Sequence, residues 1–224
     1  MPRVARQAPG GLWYHVINRG VGRMTLFEKA TDFDAFEAVL EETHTQRPMR
    51  VGGYCAMPNH WHFVLWPRRH GDLAAFMQRL TITHVRRWQE HRHVVGEGHD
   101  YQGRFKSFPI EADEHLLAVL CYVERNALRA GLVERAESWR WGSLWRRRRG
   151  AMAQRALLCD LPIDLPRNSV QRVNRPETEA ELESLRRCVR RGQPYGGDRW
   201  TKRMTKRLGL ESTFRPRGRP RNTP

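Results

Sequence analysis

The sequence predicts an α+β domain of the ferredoxin-like kind, an antiparallel sheet with helices packed on it, followed by a basic helical extension. Three observations carry this reading. Hydrophobic patterns through residue 110 run strand, helix, strand, strand, helix, strand, which is the split β-α-β arrangement. The second and third strands are joined by a turn signal short enough for a hairpin. Residues 1–150 hold 23 Lys+Arg against 16 Asp+Glu, whereas residues 151–224 hold 17 against 8, so composition breaks near residue 150.

Taken in order, residues 12–19 read as a first strand closed by Gly20-Val21-Gly22. A helix is expected from Thr31 to Thr45, with Thr31 as N-cap, Asp34 at the third helical position, and Phe33, Phe36, Val39 and Leu40 as its apolar face. A second strand, Arg50 to Cys55, turns through Met57-Pro58-Asn59 into an apolar strand beginning at His60. A helix from Asp72 to Arg92 carries Leu73, Phe76, Met77, Leu80, His84 and Trp88 at helical spacing, a core stripe, with Arg79, Arg86 and Arg87 opposite. Arg104 to Ile110 alternates basic and apolar residues as a fourth strand.

A helix from Asp113 to Arg129 follows, capped at Gly131. Leu116, Leu120, Val123 and Ala127 make its core stripe, while His115, Tyr122, Asn126 and Arg129 group away from it. Trp139 to Trp145 closes the core and Arg146 to Arg149 closes the domain. The extension contains two short helices, about 177–191 and 197–208, and ends in Arg215-Pro216-Arg217-Gly218-Arg219-Pro220-Arg221.

Composition narrows the function. A net charge of +16 is the electrostatic footprint of a polyanion binder and argues against an ordinary small-molecule enzyme. No apolar run approaches a membrane span. Four scattered cysteines, with no Cys-x-x-Cys pair, read as reduced thiols in a cytoplasmic, nucleoid-associated protein. Arg86, Arg87, Arg104, Lys106, Arg146 and Arg147 are candidate phosphate contacts. Arg217 and Arg219 could enter a minor groove or hold phosphates without preference.

The chemistry centres on Met57-Pro58-Asn59-His60-Trp61-His62. Alternation along a strand points His60 and His62 to one face and Trp61, Phe63 and Leu65 to the other. Two imidazoles side by side can grip one metal ion, although an isolated His-x-His is more often two polar residues on a half-exposed strand.

Ala56 to Leu65 resembles the Met-Pro-Asn-His-x-His signature of single-tyrosine HUH transposases. Tyr122-Val123-Glu124-Arg125-Asn126-Ala127-Leu128-Arg129-Ala130-Gly131-Leu132-Val133 resembles their catalytic helix, His15 to Gly20 their first strand, and Trp139 to Leu144 their closing segment. The resemblance covers residues 12–145, and the subgroup it most resembles is the REP-associated tyrosine transposases. It implies an HUH domain over residues 1–150 and a DNA-binding extension over 151–224.

The resemblance further implies Tyr122 as the nucleophile that nicks and rejoins DNA through a 5′-phosphotyrosine. His60, His62 and Asn126 would be ligands of Mg²⁺ or Mn²⁺, and the partner would be single-stranded or hairpin DNA. Related insertion-sequence enzymes can exchange the catalytic helix between subunits, which leaves monomer and homodimer both open. A DNA-binding protein without catalysis, and a structural zinc or iron site at the two histidines, are the competing readings. Ala127 stands where the family has proline, a residue that bends a helix end, so the placement of Asn126 and the end of the helix are open.

Overall fold

A computed structural model of the chain describes residues 8–96 and 98–215, so Arg217 and Arg219 lie outside the described residues. The first six elements are β1 (Trp13–Arg19), α1 (Ala30–Gln46), β2 (Arg50–Met57), β3 (His60–Trp66), α2 (Asp72–Arg92) and β4 (Lys106–Ile110). All strand pairs are antiparallel, in the order β2-β3-β1-β4. This is the ferredoxin-like topology expected from the element order. β2 and β3 form the expected hairpin, with Met57 opposite His60 and Cys55 opposite His62.

The sheet is covered on both faces, which is why β1 and β3 are almost wholly buried. On one face Trp61, Phe63 and Leu65 meet α1 and α2, with Phe36 of α1 stacked 6.4 Å from Trp61. His84 of α2 belongs to this core and not to a cofactor pocket. Its Nδ1 bonds the Tyr101 hydroxyl at 2.9 Å, and that hydroxyl accepts the Trp61 indole N–H at 2.9 Å. Residues opposite one another in the register share the second face, which carries His15, Arg19, His60, His62 and Lys106.

That second face is covered by α3 (Glu114–Glu124) and α4 (Asn126–Arg129), followed by α5 (Ser143–Arg149), α6 (Met152–Arg155), α7 (Ser169–Asn174), α8 (Glu179–Arg191) and α9 (Asp198–Leu208). The packing is close at Gly53 of β2, where a Cβ would sit 2.4 Å from Leu120 Cδ1 of α3. Leu157, Leu185 and Cys188 of the extension join the main hydrophobic core. The Tyr195 N–H donates to Pro109 O at 2.9 Å and its carbonyl accepts the Glu111 N–H at 2.9 Å, so the extension lies along the β4 edge. No helix of the described residues is long and apolar enough to cross a membrane.

Four expectations are corrected. Thr31 is not the N-cap of α1. The Asp32 carboxylate accepts the Glu28 N–H at 2.9 Å and the Lys29 N–H at 3.3 Å, which starts the helix at Ala30. The fourth strand begins at Lys106, with Arg104 and Phe105 before it.

The helix from Asp113 does not run unbroken to Arg129. It is interrupted at Arg125, where the Asn126 side-chain amide donates to the Tyr122 and Val123 carbonyls at 3.1 and 3.2 Å. The broken end finishes at Gly131 (φ +69°), as the expected cap requires. Finally, Arg146 and Arg147 are not phosphate contacts but internal braces. Arg146 is buried against Glu37 and Glu41, and Arg147 bonds Glu124 and the Gly52 carbonyl.

Candidate active site

β3 and the α3–α4 break bring together the side chains that the sequence set sixty residues apart. Strand alternation puts His60 and His62 on the second face with ring centroids 5.0 Å apart. Tyr122, near the end of α3, lies 5.8 Å from the His62 ring, edge to face. Asn126 follows one turn later. All four line a cavity of about 800 Å³.

Each histidine is oriented by a second group. His60 Nδ1 bonds Asn59 Oδ1 at 2.6 Å, and His62 Nδ1 bonds His15 Nε2 at 2.8 Å. Those bonds leave each Nε2 to face the cavity. Asn59 can only accept through that oxygen, so His60 carries its proton on Nδ1 and keeps an Nε2 lone pair. For His62 to do the same, its Nδ1–H must donate to His15 Nε2. The His15 proton then sits on its own Nδ1, a buried atom with no hydrogen-bond partner.

Burial holds these imidazoles neutral. The His15 and His60 pKa values are lowered to about 3, His60 also by Arg19 and Arg129, and His62 is pushed well below 6.5 by burial and then His60. His84, in the opposite core, is lowered to about 4 by burial.

Such groups take up protons only on unfolding, so stability is full above about pH 6.5 and is lost as pH falls toward the folded value. For His84 we expect unfolding free energy to decline between pH 6.5 and 4, by about 1.4 kcal/mol per pH unit for each proton taken up. Urea denaturation in chelator at pH 7.5, 6.0 and 5.0 measures this. A flat profile would show these histidines protonated in the fold.

The rest of the cavity is cationic. Arg19, Arg104, Lys106, Arg129, Arg186 and Arg190 line it, and no Asp or Glu does among the described residues. Arg129 sits with its guanidinium 4.3 Å from the Tyr122 ring centroid and donates to Asn126 Oδ1 at 2.6 Å. Arg129 is in turn held by Glu177 at 3.1 Å, and Glu177 also pairs with Arg125 at 3.2 Å. Burial raises the Tyr122 pKa, while Arg129 and Arg186 pull the other way, so the resting phenol is protonated.

Of the sequence-derived residues, His60, His62, Tyr122, Asn126, Arg104 and Lys106 converge. Arg86 and Arg87 do not; they sit on α2, across the sheet, where Arg87 pairs with Glu42 at 2.6 Å. His115, grouped with Tyr122 by helical spacing, instead bonds Asp113 at 2.8 Å. Glu111, Asp113 and His115 bring ligand atoms within 4.8 Å of one another and could hold a metal, but two of them have structural roles. Asp113 accepts the His115 N–H at the start of α3 and Glu111 accepts the Gly197 N–H before α9.

Sequence reasoning missed Arg19, His15, Arg186 and Arg190. The first two were readable in principle, because the register sets Arg19 opposite His60. The last two come from α8, and no local pattern announces its packing.

A ferredoxin-like sheet whose second face borders a cavity with a His-x-His pair, a tyrosine and six cations has the charge to receive a polyanion. Residues 10–126, more than half of the chain, match the family described as IS200-like transposases, and the span ends at Asn126, just past Tyr122. The chain belongs to the IS200-like transposase family and is a DNA transposase.

Among solved structures, that of the REP-associated tyrosine transposase bound to a REP hairpin superposes with a TM-score of 0.53 at 16% identity. It covers 69% of this chain and 90% of the other. A crystal structure of a protein from Deinococcus radiodurans gives a TM-score of 0.38 at 16% identity, over 59% of this chain and 91% of that one. No curated protein sequence matches.

Proposed function

We propose that this transposase nicks and rejoins single-stranded DNA, presented as a hairpin or palindromic repeat, through a phosphotyrosine at Tyr122. The observation that carries this reading is the placement of the Tyr122 ring 5.8 Å from His62 in a cavity lined by six cations and no acid among the described residues. The Tyr122 oxygen attacks phosphorus as its proton passes to solvent, a bond to the 5′-phosphate forms, and the P–O3′ bond breaks. The departing 3′ oxygen takes up a proton and becomes a free hydroxyl. Attack by a 3′-OH in the reverse sense releases Tyr122 and seals a strand with no external energy source.

The donor set fits a divalent metal. Two neutral imidazoles present Nε2 atoms, and the Asn126 carboxamide oxygen, one of whose lone pairs is taken by Arg129, is the third donor. Mg²⁺ or Mn²⁺ bound there would polarise the scissile phosphate and stabilise its developing charge. The protein's own contribution is to orient the phenol and to offset its charge as the proton leaves, through the Arg129 guanidinium above the ring. The solved relative in complex with a REP hairpin makes a hairpin the first substrate to try.

The experiment is direct. Protein incubated with a 3′-labelled hairpin carrying a single-stranded flank, with Mg²⁺ or Mn²⁺, should give a denaturant-stable protein–DNA adduct that chelator prevents. Cleavage without an adduct would replace the tyrosine mechanism with hydrolysis. Binding without cleavage would leave a transposase fold that serves only to hold DNA.

A further inference from the structure

The match to the transposase family stops at Asn126, yet the cavity around Tyr122 is not finished there. Beyond Arg129 of α4, its remaining wall is α8, which contributes Arg186, Val189 and Arg190. This helix is firmly placed. Thr178 accepts the Glu181 N–H at 3.3 Å while Glu181 accepts the Thr178 N–H at 2.8 Å. Leu185 and Cys188 are buried in the main core, and Gly192 closes the helix at φ +75°.

The cations near Tyr122 are not equivalent. Arg129 is committed to Glu177, to Asn126 and to the Tyr122 ring. Arg190 pairs with Glu183. Arg186 is exposed to the cavity and has no carboxylate partner among the described residues, and its charge acts on the Tyr122 phenol. An uncompensated guanidinium on a rigid helix, beside a nucleophile that must meet a phosphodiester, has the chemistry to hold a phosphate.

We propose that Arg186 of the C-terminal extension binds a phosphate of the single-stranded substrate at the Tyr122 site, so that α8 is a wall of the active site as well as part of a basic extension. This rests on the reading of Tyr122 as the nucleophile. It also gives Glu177, from the segment before α8, a positioning role. By engaging Arg129 it keeps that cation over the phenol and leaves Arg186 free for DNA.

Salt dependence separates one specific contact from general charge. In a Tyr122→Phe background, which cannot cleave, the affinity for a labelled single-stranded oligonucleotide is titrated with salt. Arg186→Gln should lower the slope of log K against log salt by about 0.7, the value for one phosphate contact on a single strand. Arg187→Gln removes the same charge from the same helix outside the cavity and should leave the slope unchanged. With Tyr122 present, Arg186→Gln should slow adduct formation at saturating DNA, and Arg186→Lys should recover part of the rate.

Equal slopes for the Arg186 and Arg187 variants, or an Arg186→Gln enzyme as fast as wild type, would overturn the proposal. Those outcomes differ from failure of the tyrosine mechanism itself, in which the unaltered protein forms no adduct.

Discussion

Tyr122→Phe is expected to abolish the covalent protein–DNA species and to cut strand cleavage by at least about 10³-fold, while DNA affinity stays within roughly twofold. The geometry explains why so small a change should be so selective. No hydrogen bond to the Tyr122 hydroxyl occurs among the described residues, so the oxygen has no structural partner to lose. What holds the residue is its ring, set edge-on against His62 and His15 and lying beneath the Arg129 guanidinium.

Phenylalanine keeps those contacts, so the fold and the cationic cavity survive with only the hydroxyl gone. Adduct on denaturing gels and anisotropy with the same oligonucleotide measure the two halves of the prediction. Persisting adduct in Tyr122→Phe would move the nucleophile to another side chain. Parallel loss of binding would mean that the hydroxyl organises the site instead of reacting in it.

Part of this site is legible in the chain and part is not. His60 and His62 were legible because strand alternation is a strict local rule, and a strand of apolar residues interrupted by two histidines breaks the pattern visibly. Tyr122 and Asn126 were legible as residues off the core stripe of a helix, but their setting was not. Without the family's proline at Ala127, the interruption at Arg125 goes with the Asn126 amide taking the Tyr122 and Val123 carbonyls, a competition that periodicity does not reveal.

The element order and sheet topology followed from hydrophobic period alone. The start of α1 did not, because Asp32 folds back on backbone groups ahead of the helix. Charge was the least legible feature. In sequence, Arg146 and Arg186 are both members of basic runs. One is buried against Glu37, and the other opens onto the cavity that Tyr122 lines. Only tertiary packing separates a cation that braces the fold from one that faces the cavity.

Arg146→Ala should therefore behave as a core mutation. The Arg146 side chain is 1% exposed and lies 3.3 Å from the Glu37 carboxylate, itself 5% exposed. Glu37 also accepts a hydrogen bond from the buried Tyr54 hydroxyl, whose pKa burial and Glu37 together hold well above 10. Removing the guanidinium leaves that carboxylate in the core with Arg140, at 2.9 Å and one-third exposed, as its remaining cation.

Breaking one side of a buried pair costs about 3 kcal/mol, which in a chain of this length lowers Tm by about 6–12 °C. The ion pair with Glu41 adds little, because that carboxylate is half exposed. If the cost comes from the stranded charge, Arg146→Met combined with Glu37→Gln should recover much of the lost stability, whereas Arg146→Met alone should not. Below its own Tm the Arg146→Ala protein should bind single-stranded DNA with the wild-type salt slope, since its charge never reached the surface. A lowered slope with an unchanged Tm would reverse the assignment and return Arg146 to the DNA-binding face.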